Sequence, residues 1–281
     1  MAQALLESAE LTDAQFEAIS RLVKDLCGIN LHQGKKELVK ARLQKRLRVL
    51  DLPSFDEYID HVRHDTAGDE LIAMLDAIST NLTQFYREPQ HFEHLASTVL
   101  PSLIAAAETR GKRLRIWSAG CSSGEEAYTI AILLHENLPG LAQWDARILA
   151  TDLSTRVLAR AREGVYDASR LANVPAGWTA KYFTAGSSRT DRRYRLKDDV
   201  RRLIAFARLN LMEPWPMRGP FDVIFCRNVM IYFDKATQSR LIDRFWEILG
   251  AGGILYVGHS ESLAGVKHRF DYVQPTVYRK T

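Results

Sequence analysis

The residues best suited to chemistry follow apolar runs in the middle of the chain. A turn of small residues, 120–124, follows one such run, and Asp152 follows the next. Small residues let the backbone approach a ligand closely, and an acid at the tip of a second strand can accept hydrogen bonds from ribose hydroxyls. The turn matches neither GxGxxG nor GxxxxGKS/T, which disfavours a pyrophosphate ligand. The pattern predicts a site for a nucleoside without a pyrophosphate, a description that S-adenosylmethionine fits.

Two asparagines extend the same rim. Asn210 and Asn228 follow two further predicted strands, and ligands of open α/β sheets bind outside the carboxyl ends of the strands. Each feature alone has a simpler interpretation: a turn asparagine, a helix N-cap at Asp152, or a tight turn at 120–124 without a ligand. Their shared position after successive strands favours the ligand site.

The elements that position these residues alternate after residue 85. Strands are predicted at 114–118, 147–150, 221–226 and 253–257, and helices at 89–107, 125–137, 155–163 and 237–249. Alternation of this kind predicts an α/β fold with a mostly parallel sheet covered by helices on both faces.

One segment, residues 181–207, breaks this alternation. It contains a turn at 186–188 and short runs at 194–196 and 203–206. We predict that it forms short antiparallel strands inserted between the second and third strands of the main sheet.

The first eighty residues show helical periodicity only. Thr12 with Gln15 and Ser54 with Glu57 form capping-box patterns, so this part of the chain is predicted to be a small helical domain. Its second helix is strongly basic, and Glu37 is the one acid at 35–48. The basic residues are Lys35, Lys36, Lys40, Arg42, Lys45, Arg46 and Arg48.

The composition is that of an ordinary globular protein, with 281 residues, 46% hydrophobic and 26% charged. The apolar runs are far shorter than the roughly 20 residues of a membrane span, and a secretory signal is not expected. Three widely spaced cysteines favour a reducing, cytoplasmic location and no metal site. The net charge of +4 does not indicate a nucleic-acid partner.

Four stretches, in order along nearly the whole chain, resemble the CheR family of bacterial chemotaxis-receptor glutamate O-methyltransferases. They are residues 81–88 (NLTQFYRE), 117–128 (WSAGCSSGEEAY), 225–233 (FCRNVMIYF) and 258–262 (GHSES). The resemblance implies a helical domain at 1–85 and a Rossmann-like methyltransferase domain at 86–281, with a β-subdomain inserted at about 178–207. It also implies S-adenosylmethionine as methyl donor.

The resemblance carries a set of cofactor contacts onto this sequence, to which the glycine turn adds Gly120. Of the adjacent Glu125 and Glu126, the second is preferred. The expected contacts are Asn81, Thr83, Arg87, Gly120, Glu126, Asp152, Asn210, Leu211, Arg227 and Asn228.

The implied acceptor is a receptor glutamate, which is ionised at neutral pH because its pKa is about 4.3. No general base is then needed, and catalysis consists of aligning a carboxylate oxygen with the sulfonium methyl. Arg87 is expected to orient the acceptor through paired hydrogen bonds, and Tyr232 is the implied active-site tyrosine. The simpler alternatives are a surface ion pair between Arg87 and Glu88 and a packed aromatic at Tyr232.

The basic second helix is expected to dock on an acidic receptor helix bundle. The expected docking residues are Lys40, Arg42, Lys45, Arg46 and Arg48. In some family members the β-subdomain binds a peptide at the receptor's C-terminus by strand addition.

Two other functions compete with this hypothesis. A nucleic-acid methyltransferase could use the basic clusters at 35–48 and 189–202, but the strand predicted at 221–226 is followed by Arg227 and Asn228, not by an Asn-Pro-Pro-Tyr motif. A cofactor-sensing adaptor would retain the fold without activity, against which intact Arg87 and Tyr232 argue. His259 and Cys226 are expected to be structural.

Overall fold

The computed structural model describes residues 10–66, 68–78, 81–186 and 192–281. The helices of its first part are α1 Asp13–Cys27, α2 Lys36–Leu50, α3 Phe55–His64 and α4 Asp69–Ile78. A capping box begins α1, because the Gln15 N–H donates to Thr12 Oγ1 and the Thr12 N–H donates to Gln15 Oε1. Gly28 ends it with a φ of +76°, a left-handed conformation that glycine adopts without steric cost.

These helices pack around their own apolar core. Each contributes residues at helical spacing, among them Phe16, Val23, Leu43, Tyr58 and Leu75. Burial of such stripes, at about 25 cal/mol per Å² of apolar area, is the main force that holds a small helical unit together.

The rest of the chain forms two sheets. The strands are β1 Arg113–Ala119, β2 Asp145–Asp152, β3 Val165–Asp167, β4 Phe183–Ala185, β5 Arg193–Leu196, β6 Ile204–Arg208, β7 Phe221–Cys226, β8 Leu249–Val257, β9 Asp271–Gln274 and β10 Val277–Arg279. The main sheet has the order β6-β2-β1-β7-β8-β10-β9, in which β10 is antiparallel to both of its neighbours, β8 and β9, and the other neighbouring pairs are parallel.

Helices cover both faces of the main sheet. The helices of this part of the chain are α5 Pro89–His94, α6 Leu100–Arg110, α7 Glu125–Asn137, α8 Thr155–Glu163, α9 Trp178–Tyr182, α10 Asp198–Arg201 and α11 Lys235–Ile248, with a π turn at Leu95–Val99 that joins α5 to α6. Of these, α9 contacts β4 of the small sheet and α10 contacts α7. Successive strand residues point to opposite faces, so Ile116 belongs to one core and Trp117 to the other. None of the described helices is long and apolar enough to cross a bilayer. The predicted α/β, Rossmann-like fold with a helical part and a small antiparallel sheet is confirmed.

The structure corrects the prediction for the insertion. The small sheet has the order β3-β5-β4, so it begins at Val165, ahead of the predicted segment. The prediction of an antiparallel strand at 203–206 is wrong, because Ile204–Arg208 is an edge strand of the main sheet, parallel to β2. A short apolar run does not reveal its pairing partner. The predicted turn lies outside the described residues at Ser187 and Ser188, as does Arg189. The strands β9 and β10 were not predicted.

The helical part is attached over the carboxyl edge of the main sheet. The Asn30 N–H donates to the Tyr232 carbonyl at 2.7 Å, and Asn210 Nδ2 donates to the Leu26 carbonyl at 2.7 Å. Lys24 Nζ lies 2.9 Å from Asp234 Oδ2. These contacts place the C-terminal end of α1 directly above the strand tips.

Candidate functional site

A deep cleft lies between the carboxyl edge of the sheet and the helical part. About 1270 Å³ of space free of protein atoms lies within it, and part of this space is open solvent. Every residue expected to contact the cofactor lines it, and so does Tyr232: Asn81, Thr83, Arg87, Gly120, Glu126, Asp152, Asn210, Leu211, Arg227, Asn228 and Tyr232. The opposite wall comes from α1, α2 and the turn between them, with Cys27, Ile29, Leu31, Lys35, Leu38 and Val39.

The glycine turn and the second strand are joined into one wall. The Ser122 N–H donates to Asp152 Oδ2 at 2.8 Å, and the Ser154 N–H donates to Oδ1 at 2.9 Å. Ser154, not Asp152, is the N-cap of α8, so the capping interpretation of Asp152 does not apply. Burial raises the pKa of the Asp152 carboxyl. A carboxylate accepts about four hydrogen bonds, which leaves capacity on the cleft side.

Gly120 lets the turn close against the loop that follows β7. Its φ is +84°, and a Cβ at this position would lie 2.3 Å from Val229 Cγ2. The cleft therefore excludes a side chain here for two reasons, the left-handed backbone and the contact.

The two adjacent glutamates at the start of α7 face different environments. Glu126 lines the cleft and accepts from Ser118 Oγ at 2.7 Å and from Arg227 at 3.2 Å. Glu125 is fully buried on the other side, where Ser123 Oγ and Arg170 donate to it. Burial raises the pKa of both carboxyls, and the Arg227 guanidinium opposes the rise at Glu126.

Arg227 is the centre of a buried ion network. Its side chain is 1% exposed and donates to Glu126, to Glu88 Oε2 at 3.0 Å and to the Arg87 carbonyl. Asn228 Nδ2 donates to the other Glu88 oxygen at 3.2 Å. Burial pulls the pKa of Glu88 upward, but Arg227 and Asn228 outweigh it and the net pKa is lowered. Sequence reasoning missed Glu88, and its place directly after Arg87 in the first motif was the available signal.

Arg87 and Tyr232 lie where the cleft meets solvent. The Arg87 side chain is 34% exposed and donates to the Leu82 carbonyl at 2.9 Å, while its Nε lies 4.0 Å from Glu88. The Tyr232 side chain is half-buried, and burial raises its pKa while Arg87 lowers it. Lys35 Nζ lies 5.0 Å from the centre of the Tyr232 ring. Neither residue is sealed in a core.

The asparagines of the rim differ in whether their side-chain amides have hydrogen-bond partners. Asn210 donates to Leu26 and accepts from the Met212 N–H, so it joins the sheet edge to α1. Asn81 Nδ2 is buried and has no hydrogen-bond partner among the described residues. A buried amide without a partner costs free energy, which a ligand in the cleft can recover.

Several cations expected to dock a partner are engaged within the helical part. Arg46 donates to both oxygens of Glu70, at 3.0 and 2.5 Å, and Arg42 donates to the Ile78 carbonyl. Lys40 lies 2.7 Å from Glu10. Lys45 and Arg48 are exposed. Spacing alone does not reveal these tertiary partners.

Two residues of the sheet edge, Cys226 and His259, were expected to be structural. Cys226 is fully buried. His259 is exposed, and its ligand atoms lie within 4.8 Å of those of Glu88 and His91. Both Glu88 oxygens in this cluster already accept hydrogen bonds from Arg227 and Asn228.

Comparison with known proteins identifies related sequences. Residues 81–279 match the family model "CheR methyltransferase, SAM binding domain", and residues 14–79 match "CheR methyltransferase, all-alpha domain". A probable chemotaxis protein methyltransferase from Rhizobium etli is 45% identical over 255 residues, 90% of this chain and 95% of that protein.

Two further chemotaxis protein methyltransferases are similar over nearly the whole chain. A chemotaxis protein methyltransferase of Borreliella burgdorferi is 40% identical over 273 residues, 96% of this chain and 95% of its own length. The chemotaxis protein methyltransferase of Escherichia coli is 38% identical over 275 residues, 98% of this chain and 93% of its own length.

Proposed function

Because the chain belongs to the CheR methyltransferase family and is therefore an S-adenosylmethionine-dependent methyltransferase, we propose that it methylates glutamate carboxylates on the cytoplasmic domains of chemotaxis receptors. The product is a glutamate methyl ester that serves sensory adaptation. The observation that carries the proposal is the placement of Arg87 and Tyr232 at the open end of the cleft.

The cleft suits a nucleoside that carries an amino acid. The Asp152 carboxylate is placed for ribose hydroxyls, and Asn81 Nδ2 offers a buried donor. Glu126, Arg227 and Asn228 supply charged and polar groups at the other end. When bound, S-adenosylmethionine supplies an electrophilic methyl group on a positively charged sulfur.

The acceptor arrives already ionised, so the chain has to orient and not to deprotonate it. A guanidinium holds a carboxylate with two parallel hydrogen bonds, and Arg87 has the exposure to do so. The Tyr232 hydroxyl shapes the methyl-transfer pocket on the other side of the acceptor carboxylate. Attack of a carboxylate on a sulfonium removes both charges, so a cleft that excludes water favours the transition state. An overly tight hold by Arg87 would instead stabilise the ground state.

Residues 1–85, on this proposal, form the receptor-docking domain, and residues 86–281 form the catalytic domain with the small sheet as its insertion. Lys45 and Arg48 offer exposed positive charge on α2, beside the wall formed by Lys35 and Leu38. An acidic receptor helix would bring its glutamate to the cleft along this face. The outer strand β4 of the small sheet is where a receptor's C-terminal peptide would add.

The test is transfer of labelled methyl groups from S-adenosylmethionine to isolated receptor cytoplasmic domains, followed by alkaline hydrolysis. Base-labile label on the receptor identifies a carboxyl methyl ester. Because Arg87 is also an expected cofactor contact, the variant Arg87→Ala is assayed at saturating S-adenosylmethionine, where we expect it to keep its fold and to lose at least about 100-fold in transfer.

Arg113→Ala is the matched control. Arg113 is also half-exposed and also donates to a carbonyl, that of Pro220, but it lies at the amino end of β1, away from the cleft. Wild-type transfer by Arg87→Ala would contradict its role. Cofactor binding without transfer to any receptor would favour an adaptor, and transfer to nucleic acid would favour the other enzyme class.

A further inference from the structure

The second half of the cleft rim is formed by two neighbouring loops. Strands β7 and β8 pair in parallel, with Cys226 opposite Val257, so the loops that follow them leave the sheet side by side. The first loop, residues 227–232, carries Asn228 and Tyr232, which line the cleft. The second, residues 258–261, belongs to the GHSES motif, to which the proposed reaction assigns no residue.

Glu261 joins these loops through backbone N–H groups. Its Oε2 accepts from the Asn228 N–H and the Gly258 N–H, each at 2.6 Å, and its Oε1 accepts from the Ile231 N–H at 3.1 Å. The residue is 5% exposed. Burial raises the pKa of this carboxyl, and the backbone donors oppose the rise. One buried carboxylate therefore holds both ends of the 227–232 loop.

The backbone around Glu261 depends on this arrangement. Asn228 has a φ of +59°, a left-handed conformation that asparagine adopts more readily than most other non-glycine residues. A Cβ on Gly258 would lie 2.6 Å from Asn228 Nδ2 and 2.7 Å from Glu261 Oε2, so only glycine fits. On the other side Val229 packs against Gly120. The loop is held between the glycine turn and the Glu261 carboxylate.

We infer that Glu261 is a positioning residue, which fixes Asn228 on the cofactor side and Tyr232 on the acceptor side through their backbones. The inference rests on the proposed function only for what Tyr232 does. Misplacement of a reacting or orienting group by about 1 Å costs about 100-fold in rate, so a loop held at both ends matters for catalysis.

Replacement of Glu261 by glutamine separates its effect on the cofactor side, at Asn228, from its effect on the acceptor side, near Tyr232. A glutamine has one acceptor oxygen, which satisfies two donors if it takes the Oε2 position, and its NH₂ group then faces the Ile231 N–H. In Glu261→Gln we therefore expect amide hydrogen exchange at Ile231 to rise at least about tenfold, with exchange at Asn228 unchanged. Affinity for S-adenosylhomocysteine should stay within about threefold, while kcat falls at least about 30-fold.

Glu261→Ala removes the hydrogen bonds from Asn228, Gly258 and Ile231 together. It should raise exchange at both loops and weaken S-adenosylhomocysteine binding about tenfold. Glu70→Gln, at a carboxylate with similar burial in the helical part, is the control and should leave cofactor affinity unchanged.

The inference is overturned if Glu261→Gln leaves exchange at Ile231 unchanged, or if both loops lose protection only in step with global unfolding. Hydrogen exchange and cofactor binding need no receptor. If these respond as expected while the wild type transfers no methyl group to receptors, the proposed acceptor is wrong and the role of Glu261 stands.

Discussion

The cleft and the outer face of α2 are both rich in charge, but they hold it in opposite ways. In the cleft, the Arg227 guanidinium is 1% exposed and is shared between Glu88 and Glu126. On α2, Lys45 and Arg48 project into solvent. Buried ionic groups are held in one geometry by several partners, whereas exposed ones contribute little to stability and are screened by salt.

This difference separates two tasks. A preorganised network can align a cofactor and an acceptor without rearranging during the reaction. A solvated basic face can attract an acidic partner from a distance without fixing its final position. Changes in the cleft should therefore have large effects on binding and rate, and changes on α2 should have small ones that depend on salt.

The largest effect is expected for Gly120→Ala. The added methyl group would overlap Val229, and the residue would have to keep a φ of +84°. We expect the affinity for S-adenosylhomocysteine, measured by calorimetry, to fall at least about 100-fold because the turn and the 227–232 loop move apart.

Gly252→Ala is the matched control, since Gly252 has a φ of +74° but nothing within 4 Å of the position that an added methyl group would take. It should lose only about 1 kcal/mol of unfolding free energy and keep its cofactor affinity. Equal affinities in the two variants would show that the Gly120 contact does not shape the site.

The rim of the sheet was predictable because strand tips follow from local pattern. An apolar run, a turn of small residues and an acid after the next run placed Gly120 and Asp152 on one edge before any contact was known. By contrast, β6 and the β9–β10 pair depend on which distant strand they join, and that information is not contained in a short run.

The supporting residues were harder to predict than the cleft residues themselves. Glu88 and Glu261 act through partners 140 and 33 positions away in sequence, so no spacing rule connects them. The family resemblance included both in its motifs without giving a reason for either. The same limit applies to α2, where sequence treats Arg46 and Lys45 alike although their tertiary partners differ.

Arg46 and Lys45, neighbours on α2 with different surroundings, give the second prediction. The Glu70 carboxylate is 6% exposed and accepts hydrogen bonds from two side chains, Arg46 and Tyr58. Arg46→Ala would leave this buried carboxylate without its cation and with the Tyr58 hydroxyl as its side-chain donor. We expect the unfolding free energy, measured in urea, to fall by about 3 kcal/mol. Lys45→Ala should change it by less than about 0.5 kcal/mol. Similar losses of unfolding free energy in both variants would contradict the distinction between the buried Arg46–Glu70 ion pair and the exposed charge of Lys45.

The buried imidazole of His91 predicts that the stability of the protein depends on pH. Burial, with the Arg227 guanidinium nearby, lowers the pKa of His91 to about 3, against about 6.5 when unfolded. The unfolded chain then binds the extra proton, so stability falls as pH decreases below 6.5. His91 should contribute a loss of about 1 kcal/mol between pH 6.5 and 5.5, and this contribution should be absent in His91→Phe, while His94, whose pKa burial also lowers, contributes to the slope in both proteins. Retention of the full slope in that variant would place its origin elsewhere, and replacement of the exposed His64 on α3 is the control.

The smallest effect is expected for the exposed cations of α2. The double variant Lys45→Ala, Arg48→Ala should lower kcat/KM for receptor methylation about threefold to tenfold at low ionic strength, because its basic face attracts the acidic partner less. Cofactor affinity should not change, since neither residue lines the cleft.

Salt separates this attraction from any contact at the reaction centre. Rising ionic strength should lower kcat/KM of the wild type toward that of the double variant, so that the two converge near 0.5 M salt, where screening acts over only a few ångströms. Lys112→Ala is the control, because Lys112 is also exposed but lies at the amino end of β1, opposite the cleft. A deficit of the double variant that persists at high salt would mean that Lys45 or Arg48 fixes the position of the bound receptor, and the proposed division of tasks between α2 and the cleft would fail.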